Sequence, residues 1–126
     1  MIHAQALLSS LGRDEGVRLL ELDTAPADVI AAIANAGFDA QFQRRQYGVV
    51  DLLGRAAGFT GTQTLAYAND QQGTLGSFVF TVQGNILTSQ AVLDQAQAAF
   101  VGGGCDLADR LMLALEAGAD NGEGDS

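Results

Sequence analysis

The stretch Phe78-Val-Phe-Thr-Val-Gln-Gly-Asn-Ile-Leu87 decides the predicted fold. Its first residues are apolar, aromatic or β-branched, which suits a packed strand. The strand passes through Gln83-Gly84-Asn85 and leads to a helix. Gly84 permits a close backbone approach or a positive φ. The amides of Gln83 and Asn85 supply donors and acceptors on either side of it. Polar groups at such a strand end are typical of binding sites in α/β proteins.

The composition is that of one globular domain with an acidic surface. The 126 residues include fifteen acids, six arginines and no lysine, which gives a net charge of −9. This balance argues against nucleic acid and against an anionic membrane surface, because both attract basic patches. The simplest interpretation of the acidity is solubility. No apolar run reaches the length of a membrane span, and the first residues do not form a signal peptide.

Residues suited to metal or triad chemistry are sparse. Cys105 is the single cysteine, so an intrachain disulfide is impossible. It is compatible with a reducing, cytoplasmic compartment, and we interpret it as an inert thiol. His3 is the only histidine and has no cluster of metal ligands or triad partners near it in sequence. The acidic tail, residues 120–125, does not match a calcium loop. The sequence therefore predicts no metal and no cofactor.

Hydrophobic periodicity predicts two helices, three strands and two further helices. The predicted helices are residues 12–22, residues 25–36 with Thr24 as N-cap, residues 90–100, and a helix capped by Asp106; the predicted strands are residues 46–52, 55–60 and 78–87. A turn at Leu53-Gly54 joins the first two strands into a hairpin, so the sheet is at least partly antiparallel. Residues 61–77 are predicted to be a long polar loop, and the first ten residues a short strand or a loop.

Polar side chains stand at the ends of the three predicted strands. They are Asp51, Thr60, Gln83 and Asn85. If these ends converge, they form a cleft with a carboxylate, a hydroxyl and two amides, and an amide there can orient a substrate carbonyl. The alternative is that Asp51 caps the hairpin turn and that Asn85 begins the turn into the helix.

Several runs resemble the bacterial family catalogued as domain of unknown function 1028. They are Gln46-Tyr-Gly-Val-Val-Asp51, Gly54-Arg55, Phe59-Thr60-Gly61, Val82-Gln-Gly-Asn-Ile-Leu87, Ala99-Phe100, Leu107-Ala-Asp-Arg-Leu111 and Ala114-Leu-Glu-Ala-Gly118. The Gln-Gly-Asn-Ile-Leu run after a strand is the most specific of them, and the resemblance extends over roughly residues 4–126.

The resemblance implies a fold similar to the N-terminal-nucleophile (Ntn) hydrolases. Those proteins are layered αββα sandwiches with antiparallel sheets flanked by helix pairs, and known members cleave amides with an N-terminal Thr, Ser or Cys. Residues 1–126 would then be a single domain that lacks the family's N-terminal strand pair and its final strand. Trimming Met1 exposes no nucleophile, so the catalytic residue is unknown and this chain is expected to be inactive alone.

Two functions remain open. The first is hydrolysis of a small-molecule amide, with Asp51, Thr60, Gln83, Gly84 and Asn85 lining the substrate site. The second is a non-catalytic domain that binds a ligand or another protein. Because missing strands would leave sheet edges exposed, we also expect the chain to associate with itself.

Overall fold

The computed structural model describes residues 1–104 and 106–119. Cys105 and the tail 120–126, the subjects of the thiol and calcium-loop interpretations, lie outside the described residues. The elements are β1 (Ile2–Ala6), α1 (Ser10–Glu21), α2 (Pro26–Ile33), a 3₁₀ turn (Phe42–Arg44), β2 (Arg45–Val50), β3 (Ala56–Thr60), β4 (Tyr67–Leu75), β5 (Phe78–Leu87), α3 (Ala91–Gly102) and α4 (Leu107–Ala119). The prediction of a mixed α/β fold with antiparallel strands and helices is confirmed. No helix in this part of the chain is both long and apolar enough to cross a membrane.

The described strands form two sheets. β1, β2 and β3 form a three-stranded antiparallel sheet with β2 in the centre. The predicted loop over residues 61–77 is wrong, because β4 lies within it and pairs with β5. Asn, Asp and Gly are depleted in strands, so the sequence of β4 carries no strand signal of its own. Its conformation depends on pairing with β5 across a turn in which Gly76 has a φ of +57°.

Local side-chain contacts shift the ends of the first two helices from their predicted positions. α1 begins earlier because the Ser9 hydroxyl accepts a hydrogen bond from the Gly12 N–H at 3.0 Å. Thr24 is not the N-cap of α2. That position is Ala25, without a side-chain bond, and Pro26 occupies the first turn. α2 ends before the predicted residue 36, where the Asn35 amide bonds to nearby backbone groups.

The described residues fall into two compact units. Unit 1 contains residues 1–64 and 70–83, and unit 2 contains residues 65–69, 84–104 and 106–119. β4 and β5 contribute residues to both units. The prediction of a single domain over residues 1–126 stays a prediction.

The core of unit 1 lies between the helices α1 and α2 and the three-stranded sheet. Its buried residues are Ile2, Val29, Ile33, Tyr47 and Val49. α1 comes close to this core through two glycines one turn apart. A Cβ on Gly12 would overlap the Tyr47 hydroxyl, and one on Gly16 would overlap the Ile2 side chain.

Unit 2 is built around the packing of α3 on α4. Val92, Leu93 and Phe100 are buried on α3. The Arg110 guanidinium donates to the carbonyls of Phe100 at 2.7 Å and Val101 at 3.1 Å, and so satisfies the last turn of α3. The predicted cap at Asp106 is confirmed by its bond from the Asp109 N–H, at 2.9 Å.

Arg45 connects the loop before β2 to the end of β1 through an ion pair and a hydrogen bond. The Arg45 guanidinium donates to Asp39 at 2.7 Å and to the Leu7 carbonyl at 2.6 Å. The two charged side chains are 11% and 13% exposed, so the ion pair is largely shielded from water. The hydrogen bond from Arg45 lowers the pKa of Asp39 against the opposing effect of burial.

Gly12→Ala should destabilise the protein by about 1–3 kcal/mol, although alanine is the better helix former. The added methyl group would meet the rigid, buried ring of Tyr47. The matched change Gly102→Ala meets no atom within 4 Å at the end of α3 and should be neutral or slightly stabilising. Urea denaturation of both variants measures this difference. Equal effects at the two positions would contradict the close approach of α1.

Asp39→Asn should destabilise the protein at pH 7 by about 1–3 kcal/mol, because it leaves the Arg45 charge poorly compensated. The folded-state pKa of Asp39 is depressed, so the stabilisation is present above the ordinary carboxyl pKa and is lost as pH falls through the lower value. The difference between variant and wild type should therefore shrink in acid. Asp14→Asn, which removes an exposed pair with Arg13, should change stability by less than about 0.5 kcal/mol. Thermal unfolding from pH 7 to pH 3 tests both.

Candidate functional site

The register of β1, β2 and β3 gives their sheet one polar and one apolar face. Side chains alternate between the faces of a strand. The apolar face carries the core residues described above. On the other face, one row is His3, Gly48 and Gly58, and the next is Gln5, Gln46 and Thr60. We call this side of the sheet the polar face.

A chain of hydrogen bonds crosses the polar face. The Gln5 amide donates to the Gln46 carbonyl at 2.6 Å, and the Gln46 amide donates to the Thr60 hydroxyl at 2.9 Å. Thr60 donates to one oxygen of Asp70 at 2.5 Å, and Gln72 donates to the other at 2.7 Å. This series of hydrogen bonds therefore joins all three strands of the sheet to β4 within unit 1.

The direction of this chain follows from the Asp70 carboxylate. An ionised carboxylate only accepts hydrogen bonds, so the Thr60 proton points toward it. The Thr60 oxygen is then left as an acceptor for the amide of Gln46, which is 0% exposed. This requirement fixes the orientation of the Gln46 side chain, and its carbonyl is left to accept from Gln5. Each bond in the series supports the next.

A second cluster of polar side chains lies over Gly48. A Cβ at Gly48 would overlap the His3 Nε2, and it would lie 2.6 Å from the Gln83 Oε1 and 2.7 Å from the Thr81 Oγ1. Glycine at this position thus lets an imidazole, a hydroxyl and an amide meet over the backbone. His3 Nε2 and Thr81 Oγ1 are 3.2 Å apart. The amide atoms Nε2 and Oε1 of Gln83 are both buried, and neither has a hydrogen-bond partner.

Burial lowers the pKa of His3. The ring is therefore neutral near pH 7, with one nitrogen as donor and the other as acceptor. A neutral ring can accept a proton from the Thr81 hydroxyl. The group over Gly48 thus combines a base, a hydroxyl and an amide donor, which are the elements of acyl-transfer chemistry.

Asp51 and Thr60 do not converge, so the condition for a shared cleft is not met for this pair. β2 and β3 are antiparallel, so the turn that contains Asp51 is at one end of the hairpin and Thr60, paired with Gln46, is at the other. Asp51 accepts hydrogen bonds from the N–H groups of Leu53 and Arg55 at 2.9 Å and pairs with the Arg55 guanidinium at 2.5 Å. It caps the hairpin turn, as the alternative interpretation predicts. A role in substrate binding stays a prediction.

The other predicted site residues divide between the two units. Gln83 belongs to unit 1, whereas Gly84 and Asn85 belong to unit 2. Gly84 serves close packing, because a Cβ there would lie 2.7 Å from the Leu87 Cδ1. The positive φ that Gly84 permits occurs instead at Ile86, at +59°. For Gly84 and Asn85, ligand binding stays a prediction.

Burial also acts to raise the pKa of Asp51. Hydrogen bonds from the backbone and guanidinium of Arg55 and from the backbone of Leu53 outweigh it, so the pKa of Asp51 lies below its ordinary value. Next to this turn is a cleft of about 550 Å³, bounded by the end of α1 and by the turn. The cleft and the polar-face rows thus belong to different parts of unit 1.

Most residues of the polar face were not predicted from the sequence. The missed residues are His3, Gln5, Gln46, Asp70, Gln72 and Thr81. A period-two alternation in β1 and β2, with glutamine and glycine among apolar residues, was the signal that could have revealed them. Within residues 1–104 and 106–119, no group of three or more His, Cys, Asp or Glu side chains is placed to hold a metal ion.

A family model matches residues 1–126 and is described as a family of unknown function, DUF1028. The chain belongs to the DUF1028 family. A crystal structure of a DUF1028 protein from Silicibacter pomeroyi is similar, with a TM-score of 0.82 and 28% sequence identity. The match covers 94% of this chain and 52% of that one, so this chain spans about half the length of its relative. No curated protein matches. The family predicted from the sequence is confirmed, whereas the layered sandwich and the missing strands stay predictions.

Thr60→Val should destabilise the protein by about 1–3 kcal/mol, because valine has the same shape but leaves Gln46 and Asp70 each without one bond. Thr62→Val provides the matched control. The Thr62 hydroxyl bonds to Gln43 on the exposed surface, and its loss should change stability little. Chemical denaturation measures both variants. Similar losses of stability in the two variants would show that the hydrogen bonds across the polar face contribute no stability.

Proposed function

We propose that the polar face binds a small amide and that the family domain to which this chain belongs is an amide hydrolase whose nucleophile, in contrast to that of the Ntn hydrolases, is the internal Thr81. The observation that supports this most directly is the Gln83 side chain. Its amide is buried without a hydrogen-bond partner, beside His3 and Thr81 over Gly48. An unbonded buried amide costs about 1–3 kcal/mol. A ligand that completes its bonds would recover that energy, and because both amide atoms are buried, a covering side chain must move aside for the ligand to reach them.

A primary amide is the ligand class that matches Gln83 best. It has an N–H on the same side as its carbonyl oxygen, so the carbonyl accepts from the Gln83 Nε2 while the N–H donates to the Gln83 Oε1, and two bonds form between two planar groups. An ester offers only the first of these bonds. Both Thr81 and His3 lie beside the same glycine, so a carbonyl bound to Gln83 is placed next to a hydroxyl and a base.

Hydrolysis would proceed by acyl transfer to Thr81. The Thr81 proton passes to the His3 Nε2 as the Thr81 oxygen bonds to the carbonyl carbon, and the Gln83 Nε2 donates to the oxygen that gains negative charge. The His3 proton then passes to the nitrogen, the C–N bond breaks and the amine leaves. Water, activated by His3, cleaves the resulting ester and restores the Thr81 hydroxyl.

A second candidate function is binding without turnover. Within the described residues His3 has no carboxylate partner, and a catalytic base is usually oriented by a third group. The same face would then recognise an amide but leave it intact. Turnover separates the two functions, because Thr81→Val abolishes hydrolysis under the first and is irrelevant under the second.

Gln83→Leu should weaken the binding of N-acetylglycinamide by about tenfold, because the two hydrogen bonds to the ligand are lost. The same substitution should raise the stability of the free protein. Both effects follow from replacing an unbonded buried amide with an apolar group. NMR titration measures binding, and urea denaturation measures stability. Methyl acetate, which has no N–H, should bind more weakly than the amide to the wild-type protein.

Gln97→Leu is the matched control, because the Gln97 Oε1 on α3 is also buried and unbonded. It should leave amide binding unchanged. No saturable binding of the amide to wild-type protein, or equal weakening by the two Leu variants, would refute the proposed function. Hydrolysis detected by release of ammonia would decide for the enzyme over the binding domain.

A further inference from the structure

Asp70 places a carboxylate in the row of the polar face that also holds Gln83. A Cβ at Gly58 would overlap the Asp70 Oδ2 and the Gln72 Nε2. Gly58 therefore leaves room for a carboxylate, in the same way that Gly48 leaves room for the cluster that includes Gln83. All of these residues belong to unit 1.

The two glycines that carry these clusters are direct neighbours across the hairpin. Gly48 of β2 is paired with Gly58 of β3. Pairs with and without backbone hydrogen bonds alternate along an antiparallel ladder, and this pair is one without them, so its side-chain positions are close. Opposite Cβ positions are roughly 4.5–5.5 Å apart. The Asp70 Oδ2 is therefore within about 10 Å of the Gln83 Oε1.

The bonds that Asp70 makes leave its negative charge uncompensated. Its two oxygens accept hydrogen bonds from Thr60 and from Gln72, and both donors are neutral. An ionised carboxylate has about four acceptor positions, so two of them remain. Within residues 1–104 and 106–119, no arginine and no terminal ammonium group lies within 4 Å of this carboxylate. The neutral ring of His3, in the same row, adds no positive charge.

The position of Asp70 strengthens its attraction for a cation. Asp70 is half-buried between the sheet and β4, so water screens its charge less than that of a surface carboxylate. An ammonium group donates N–H groups to the remaining acceptor positions and balances the charge at the same time. Such charge-assisted hydrogen bonds are about twice as strong as neutral ones.

We propose that the amide bound at Gln83 carries an ammonium group on the neighbouring carbon and that Asp70 binds this group. The ligand is then the primary amide of an α-amino acid. This inference rests on the proposed amide binding at Gln83 and adds the substrate class. Two hydrogen bonds to Gln83, one carbon and a charge-assisted bond of about 2.8 Å fit the span between the two side chains. Asp70 selects the substrate, while Thr81 and His3 stay beside its carbonyl.

Glycinamide and propanamide test this substrate class by NMR titration of the whole chain. The two molecules have the same primary amide and nearly the same size, but only glycinamide carries an ammonium group, which is mostly protonated at pH 7. Glycinamide should bind about tenfold more tightly at low salt, the effect of one charge-assisted hydrogen bond. Ethylamine, which has the ammonium group but no amide, should bind more weakly than glycinamide.

Asp70→Asn separates the charge of this side chain from its shape. The new side-chain oxygen still accepts from Thr60, and the exposed Gln72 can turn its amide to accept from the new N–H group. The variant should lose about tenfold in affinity for glycinamide and keep its affinity for propanamide, which also shows that it is folded. Asp28→Asn is the matched control, because it removes an exposed acid from α2, on the apolar side of the sheet. It should leave both affinities unchanged.

Several results would overturn the role of Asp70 and leave amide binding at Gln83 intact. One is that wild-type protein binds glycinamide no more tightly than propanamide, a comparison that needs no variant. Another is an equal loss of glycinamide affinity in Asp70→Asn and Asp28→Asn, which would assign the preference to overall charge. Ethylamine binding as tight as that of glycinamide would also overturn it, because Gln83 would then contribute nothing.

Failure of the proposed function gives a different result. Neither amide would then bind saturably to the wild-type protein, and the inference about Asp70 would be refuted with it. If both proposals hold, Gln83→Leu weakens the binding of both amides, whereas Asp70→Asn weakens that of glycinamide alone.

Discussion

The structure of unit 1 depends on the strict antiparallel register of β1, β2 and β3. Because side chains alternate along a strand, this register places Ile2, Tyr47 and Val49 on one face and Gly48 with Gln46 on the other. A slip of one residue would expose the core and bury the glutamines against helices. The hydrogen bonds across the polar face, which link every strand, therefore help to exclude the wrong register as well as to stabilise the right one.

Close approach through glycine occurs on both faces of this sheet. On the apolar side Gly12 admits the ring of Tyr47, so α1 lies directly on the core. On the polar side Gly48 and Gly58 leave room for side chains from residues 70–83, including Asp70. The two faces use the freed space differently. On the apolar face the space is filled by hydrocarbon side chains. On the polar face it holds hydrogen-bond donors and acceptors at bonding distance.

Elements with a clear apolar pattern could be predicted from the sequence. Elements whose structure depends on a pairing partner could not. β5 and the β2–β3 hairpin were predicted because apolar, β-branched residues mark them. β4 was missed because its residues are polar and its conformation comes from β5. The site prediction named Thr60 and Gln83 but joined Asp51 to them, although an antiparallel hairpin separates its two ends. From the sequence alone, buried glutamines cannot be told from loop residues, because their hydrogen-bond partners depend on the strand register.

Several features of unit 1 cost folding energy. The amide of Gln83 and the hydroxyl of Tyr47 are buried without partners, and Ala6 and Asp23 have a left-handed backbone. An apolar replacement of Gln83, or glycine at Ala6 or Asp23, would remove one of these costs without disturbing the core. Gln83 differs from the other three because two of its polar atoms are unbonded and because a histidine and a hydroxyl lie beside them over Gly48. A ligand that completes the bonds of Gln83 would account both for the unbonded amide and for the polar side chains gathered around it.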